Sequence, residues 1–91
     1  MSSITLLDAN GPYFTDGLTF TEVADLERGS MVVGFDGRLP VKLAVVDIVE
    51  VEDSVDTYTV TLIEFGRPGA PRHVLNLEGD TEVADVDSYF L

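Results

Sequence analysis

Apolar and polar residues alternate with a period of two along most of the chain, and the spacing of an amphipathic helix is nearly absent. β-branched residues are frequent in the alternating segments, and Gly, Pro and Asp residues separate these segments. The pattern predicts strands over residues 3–7, 18–23, 30–35, 41–51, 57–65 and 72–78, with residues 81–91 closing the chain. Residues 1–91 are therefore predicted to form a single all-β domain, a small barrel or sandwich of six to seven mostly antiparallel strands.

Three local signals refine this prediction. Asp36-Gly37 between two strand-like segments is typical of a two-residue hairpin turn, because both turn residues need positive φ. Within residues 41–51 the odd positions are apolar with Asp47 as the single exception. In the next strand the apolar face changes side at Ile63, which predicts a bulge or barrel corner there.

A pentapeptide occurs twice in the chain. Thr-Glu-Val-Ala-Asp stands at residues 21–25 and again at residues 81–85. The repeat indicates two related halves that enter a strand from the same turn, with coincidence in a biased composition as the alternative. The segments around it, residues 23–28 and 83–89, have the weakest strand pattern, and either could form a single helical turn.

The net charge of the chain restricts its possible partners. Seventeen acidic residues stand against five basic ones, of which only Lys42 is a lysine, so the formal charge is −12 and is spread along the whole chain. Such a surface repels nucleic acid phosphates and anionic membranes, and it favours basic surfaces or cations as partners. Three interpretations remain open: adaptation to molar salt, an acidic docking face, or a solubilising surface without a partner.

Several classes of protein are excluded or disfavoured. The chain has no cysteine, which excludes disulfides and thiolate chemistry. Its longest apolar run, residues 43–46, is too short to span a bilayer. The first residues lack the basic and apolar regions of a secretory signal, so we expect a cytoplasmic or virion protein that is not exported by a cleaved signal.

Candidate chemistry is sparse. His73 is the single histidine and alternates with leucines on one strand face, which favours a structural role, and neither Ser30 nor Ser88 has a nucleophile-elbow spacing. Two groups of carboxylates lack calcium-loop spacing and are interpreted as solvated turns: Glu50, Glu52, Asp53 and Asp56, and Glu78, Asp80 and Glu82. We therefore expect no catalytic residue, no metal site and no cofactor.

From Asp16 to Val83 the chain resembles the Hint fold of inteins and hedgehog autoprocessing domains. The matching pieces are Val-Ala-Asp-Leu-Glu-Arg-Gly at residues 23–29, Met-Val-Val-Gly-Phe-Asp-Gly at residues 31–37, the strand from Val41, and Ala-Pro-Arg-His at residues 70–73 followed by Val74-Leu75 and Gly79. Hint domains have internal two-fold pseudo-symmetry, which would suit the repeated pentapeptide. The chain departs from the family at Ala70, where the family has threonine, and it lacks cysteine and a terminal His-Asn. The resemblance therefore implies a splicing-dead domain kept as a scaffold.

These observations favour a non-enzymatic structural or assembly module, such as a head decoration or tail-connecting protein of a virion from a high-salt source. Its expected partners are protein subunits in a homo-oligomer or larger assembly, with no direct contact to nucleic acid or membrane. The chain ends are apolar for termini, which predicts partner binding through Ile4, Leu6, Tyr89, Phe90 and Leu91. The alternatives are an acidic inhibitor that imitates DNA and the splicing-dead Hint-type domain.

Overall fold

The computed structural model describes residues 4–8, 17–37, 39–53, 55–66 and 69–89. They form seven strands, with a 3-10 turn at Val23–Asp25 and a single helical turn, α1, at Val86–Tyr89. The strands are β1 (Ile4–Leu6), β2 (Phe20–Glu22), β3 (Met31–Asp36), β4 (Leu39–Glu50), β5 (Thr57–Glu64), β6 (His73–Glu78) and β7 (Glu82–Ala84). No helix among the described residues has the length and apolar character needed to cross a bilayer.

The strands form one five-stranded antiparallel sheet in the order β1-β3-β4-β5-β6 and one two-stranded ribbon, β2-β7. The ribbon meets β1 at one side, where Asp8 bridges to Val83. On the other side the 3-10 turn that follows β2 meets the end of β6, where the Ala24 N–H donates to the Gly79 carbonyl oxygen (3.0 Å). The large sheet therefore curls into a nearly closed barrel, and the predicted all-β fold class is confirmed.

Buried apolar side chains form two clusters, one on each side of β3. Because successive side chains of a strand point to opposite faces, Val32 points inward, towards the cluster inside the curled sheet, and Val33 points outward. The outward cluster lies between β3 and the β2-β7 ribbon with α1, which together cover this part of the sheet. The inner cluster contains Ile4, Leu6, Val23, Leu26, Val32, Leu43, Val45, Val60, Leu62 and Val83. Among the described residues, no charged or polar side chain is buried.

A β-bulge in β4 explains why Asp47 interrupts an apolar face. Val45 pairs with Leu62, but the next position of β5, Thr61, pairs with Asp47, so β4 contains one extra residue. Because of the extra residue, each later side chain of β4 lies on the opposite side of the sheet from the one that simple alternation predicts. Asp47 consequently points outward, and Ile48 takes over the inward position and packs against the inner core.

Two details lie elsewhere than predicted. The bulge expected in β5 at Ile63 is wrong, since Ile63 pairs in regular register with Ala44 and the bulge is on the neighbouring strand. The hairpin between β3 and β4 is confirmed, but Asp36 pairs with Leu39 and belongs to the ladder. The turn begins one residue later than predicted, at Gly37, whose φ of 66° glycine adopts without steric cost.

The two copies of the repeated pentapeptide pair with each other. Glu22 stands directly opposite Glu82, its counterpart in the other copy, so the pairing is centred on equivalent residues. The Val23 N–H donates to the Thr81 carbonyl oxygen (2.9 Å), and Val83 pairs with the equivalent threonine of the first copy. Both valines are fully buried in the inner core. The repeat therefore has a structural meaning, a local pseudo-twofold axis through the ribbon.

The copies diverge at their valines, and each of the two segments that could form a helical turn does contain one. The first copy enters the 3-10 turn, whereas the second continues β7 and then enters α1. The Asp85 carboxylate accepts a hydrogen bond from the Thr21 hydroxyl (2.9 Å), and its N–H donates to the Thr19 carbonyl oxygen (2.8 Å). These bonds hold the second copy against the first where the two chain paths separate.

Candidate protein interface

The convex side of β4, β5 and β6 is the most extensive uncovered surface of the large sheet. None of the described elements packs on it, in contrast to the convex side of β3, which the ribbon and α1 cover. Val49 is 55% exposed and Val74 is 61% exposed, although both are apolar strand residues. We define the outer face by the side chains Ala44, Asp47, Val49, Thr59, Thr61, Ile63, Val74 and Asn76, which the register places on this side.

The outer face carries almost no net charge. Asp47 is the single acidic residue among these eight side chains, and the Arg28 guanidinium pairs with it at 3.2 Å. Glu78 points to the same side but lies beyond them, at the end of β6. Both side chains are exposed to water, so the ion pair adds little stability, but it neutralises the carboxylate. Thr59 donates a hydrogen bond to the Asn76 side-chain oxygen (2.8 Å), which joins β5 to β6 across the face. A neutral face is therefore set into the surface of a chain whose formal charge is −12.

The outer face ends at an open sheet edge. β6 pairs with β5 on one side, and no strand within the described ranges pairs with its other side over residues 73–77. The opposite edge of the sheet differs, because the Ala84 N–H donates to the Leu7 carbonyl oxygen (2.9 Å) and thereby joins β7 to the end of β1. β6 contains no proline, no lysine and no bulge, which are the usual devices that prevent edge pairing.

The predicted partner-binding residues lie in a different part of the molecule. Ile4 and Leu6 are buried, with 9% and 7% of their surface exposed, and both belong to the inner core of their own chain. A partner at β1 would meet its backbone and the exposed Thr5 rather than these side chains. Tyr89 is the last residue of α1, and Phe90 and Leu91 lie outside the described residues. Binding through the C-terminal residues therefore stays a prediction.

The residues considered for catalysis are separated in the fold. His73 begins β6, pairs with Leu62 and is half-buried. The Ser30 hydroxyl accepts a hydrogen bond from the Glu27 N–H (3.1 Å), which closes a surface turn. Within the described part of the chain, no three carboxylate or imidazole groups converge as metal ligands would.

One end of the barrel gathers acidic residues that are far apart in sequence. Tyr58 lies beside Glu50, to which it donates a hydrogen bond, and near Asp56 and Asp25. Burial raises the pKa of the Tyr58 phenol, and the charges of these three carboxylates raise it further. Gly79 is part of the same end, since a Cβ on it would collide with the Asp56 side chain and lie 2.9 Å from the Tyr58 ring. We name Glu50, Asp56 and Asp25 the acidic end.

Sequence reasoning found only part of the acidic end. It grouped Glu50 with Asp56 because they flank one turn, but Asp25 comes from the 3-10 turn, which is distant along the chain. A glycine packed against side chains, such as Gly79, has no signal in a single sequence that distinguishes it from a turn glycine.

A groove of about 670 Å³ lies between the ribbon, α1 and the start of β3. Leu26, Met31 and Val86 line its apolar part, and Asp85 and Asp87 line its rim. Asp85 already accepts the hydrogen bond that joins the two copies of the pentapeptide. The groove is therefore built from contacts that serve the fold.

Comparison of the chain with protein-family profiles, curated proteins and solved structures gives no match. The resemblance to the Hint fold consequently stays a prediction. The functional inference rests on the surface of the chain itself, namely the outer face, the β6 edge and the acidic end.

Proposed function

We propose that the protein is a non-enzymatic assembly module that binds other protein subunits through the outer face and the adjoining β6 edge. The observation that supports this proposal is the neutrality of the outer face on a strongly acidic chain. A contact through the acidic end, by contrast, would require the desolvation of its carboxylates. The outer face offers threonine, valine and isoleucine side chains with one neutralised carboxylate.

The energetics of association favour such a face. Burial of apolar surface stabilises a contact by about 25 cal/mol per Å². Val49 and Val74 lie on adjacent rows of the outer face and are more than half exposed, so a flat partner surface would bury both. A specific interface needs about 800 Å² from each partner, which requires the outer face to act together with the edge beside it.

We extend the proposal to a small component of a larger particle, such as a head decoration or tail-connecting protein of a virion from a salt-rich source. Symmetric particles join small domains through repeated face and edge contacts. At molar salt the Debye length falls to about 3 Å, which removes most of the repulsion between acidic subunits. The acidic surface would then hydrate the particle while the neutral face binds.

Site-specific photo-crosslinking tests this proposal. A photoreactive phenylalanine derivative replaces Val49 or Val74 on the outer face and, as the matched control, Val55, which is 95% exposed in the turn between β4 and β5. The cells or particles that contain the chain are irradiated, and the adducts are identified by mass spectrometry. We expect discrete protein adducts from positions 49 and 74 and none from position 55.

Equal labelling from all three positions, or no adduct from the outer face, would contradict the proposal. Adducts confined to position 55, next to Asp56, would place the partner at the acidic end. That outcome would favour the DNA-imitating inhibitor, and competition with DNA for the captured protein would then test it.

A further inference from the structure

We infer that two copies of this chain join edge to edge through β6, in an antiparallel pair centred on Leu75. The inference rests on the proposed assembly function and names one partner, a second copy. It starts from the open backbone edge over residues 73–77 and from the charges at the two ends of β6.

Sheet geometry restricts the possible registers. Residues directly opposite each other in an antiparallel pair point to the same face of the sheet. In β6 the leucines and His73 point inward, whereas Val74, Asn76 and Glu78 point outward. Two copies related by a twofold axis must therefore place the axis at a residue, where that residue meets its own counterpart.

With the axis at Leu75, the whole of β6 takes part in the pairing. Leu75 then faces its own counterpart, and Val74 faces Asn76 of the second copy. Arg72, which immediately precedes β6, faces Glu78 of the second copy, and both side chains are exposed. An axis at Val74 would put Arg72 opposite Asn76, and an axis at Asn76 would put it opposite Asp80, which lies beyond the end of β6 in the following turn.

Charge complementarity therefore selects both the partner and the register. Arg72 is one of only five basic residues, and it stands at one end of the open edge while Glu78 stands at the other. The twofold axis creates the Arg72–Glu78 pair twice. Opposite charges facing each other across a strand pair stabilise it, and like charges destabilise it.

The paired edges extend the surface already assigned to binding. The two outer faces become parts of one ten-stranded sheet, so Val74 and Asn76 of both copies lie side by side at its centre. The backbone groups along residues 73–77 that face no described strand obtain partners in the same step. The dimer is isologous and closes, so it does not propagate into a fibre.

Charge reversal tests the register directly. Arg72→Glu and Glu78→Arg are made separately, and sedimentation equilibrium measures the dimer dissociation constant of each variant and of their equimolar mixture. Each variant alone faces two like-charge pairs, so we expect its dimerisation to weaken about 10-fold or more. In the mixture two ion pairs form, one with the wild-type orientation and one reversed, and we expect a heterodimer close to wild-type affinity.

Two controls carry the same change in charge at other sites. Lys42→Glu, at an exposed position of β4, matches Arg72→Glu, and Glu52→Arg, in the turn after β4, matches Glu78→Arg. We expect these variants to weaken dimerisation less than threefold and their mixture to show no recovery specific to the pair. Circular dichroism confirms that each variant, changed only at exposed positions, retains the fold.

A wild-type chain that stays monomeric at millimolar concentration in both dilute buffer and molar KCl would overturn the inference. So would a mixture of Arg72→Glu and Glu78→Arg that associates no better than either variant alone. Either result would leave the proposed assembly function intact if photo-crosslinking at positions 49 and 74 still captures a different protein. The two proposals can therefore fail separately.

Discussion

Gly34 lies where three strands meet and provides a quantitative test of the inner core. It is buried in β3, where it pairs with Leu6 on one side and Val41 on the other. A Cβ at this position would collide with the buried Leu43 side chain and would lie 3.2 Å from Cγ2 of Ile4. A methyl group can enter only if these side chains move.

The expected cost follows from two opposing effects. Overpacking a core by one methyl group costs about 1–3 kcal/mol. Alanine is better than glycine within a strand by about 0.5–1 kcal/mol. We therefore expect Gly34→Ala to lower the free energy of unfolding by about 0.5–2 kcal/mol, with a fall in Tm of about 4–8 °C per kcal/mol.

A double-mutant cycle with Leu43 isolates the collision. Leu43→Ala alone removes a fully buried side chain and should cost about 2–5 kcal/mol. In the double variant the methyl group introduced by Gly34→Ala enters space that Leu43 has vacated, so the loss should be at least about 1 kcal/mol smaller than the sum of the single losses. Urea unfolding followed by circular dichroism measures all four proteins, because the chain has no tryptophan for fluorescence.

A second cycle is the matched control. Val83 is also fully buried, but it is not among the nearest neighbours of a Cβ at Gly34. Gly34→Ala and Val83→Ala should therefore combine nearly additively. If the Leu43 cycle is additive as well, a methyl group at position 34 does not collide with the Leu43 side chain, and the predicted contact is wrong.

Three further predictions concern charge. Glu22→Lys or Glu82→Lys replaces a like-charge cross-strand pair with an opposite one, and either should stabilise the fold by about 0.2–1 kcal/mol in dilute buffer, with the gain disappearing at 1 M KCl. The raised pKa of Tyr58 means that the folded state favours the neutral phenol, so the stability of the wild type should fall as the pH rises above the ordinary pKa of 10.0. This fall should be steeper than in Tyr58→Phe, and parallel pH profiles of Tm for the two proteins would contradict the prediction. Tm should climb strongly from dilute buffer to molar KCl, and a flat response would refute adaptation to high salt.

Much of the fold could be predicted from local pattern. Period-two alternation located β1 to β6, because alternate side chains of a half-buried strand point to opposite faces, whereas β7 lies in the closing segment, residues 81–91, where the strand pattern is weakest. The bulge in β4 was missed because one charged residue on an apolar face, Asp47, has the same appearance as a bulge until the partner strand is known. The pattern alone could not separate the two.

The candidate interface was less predictable. The apolar residues Ile4 and Leu6 suggested a contact at the chain end, but their strand completes the inner core. The β6 edge could not be foreseen, since the strand that lies at a sheet edge is set by the order of all five strands. The neutral character of the outer face likewise depends on Arg28 reaching Asp47 across the sheet.

The self-pairing of the repeated pentapeptide has a consequence for the ancestry of this chain. Two copies of the same five residues that meet at equivalent glutamates have the geometry that two identical molecules would adopt. A tandem duplication of a shorter gene would turn such an intermolecular contact into an intramolecular one and would free each copy to change separately. The 3-10 turn within one copy and the helical turn that follows the other are the divergence that such a fusion permits.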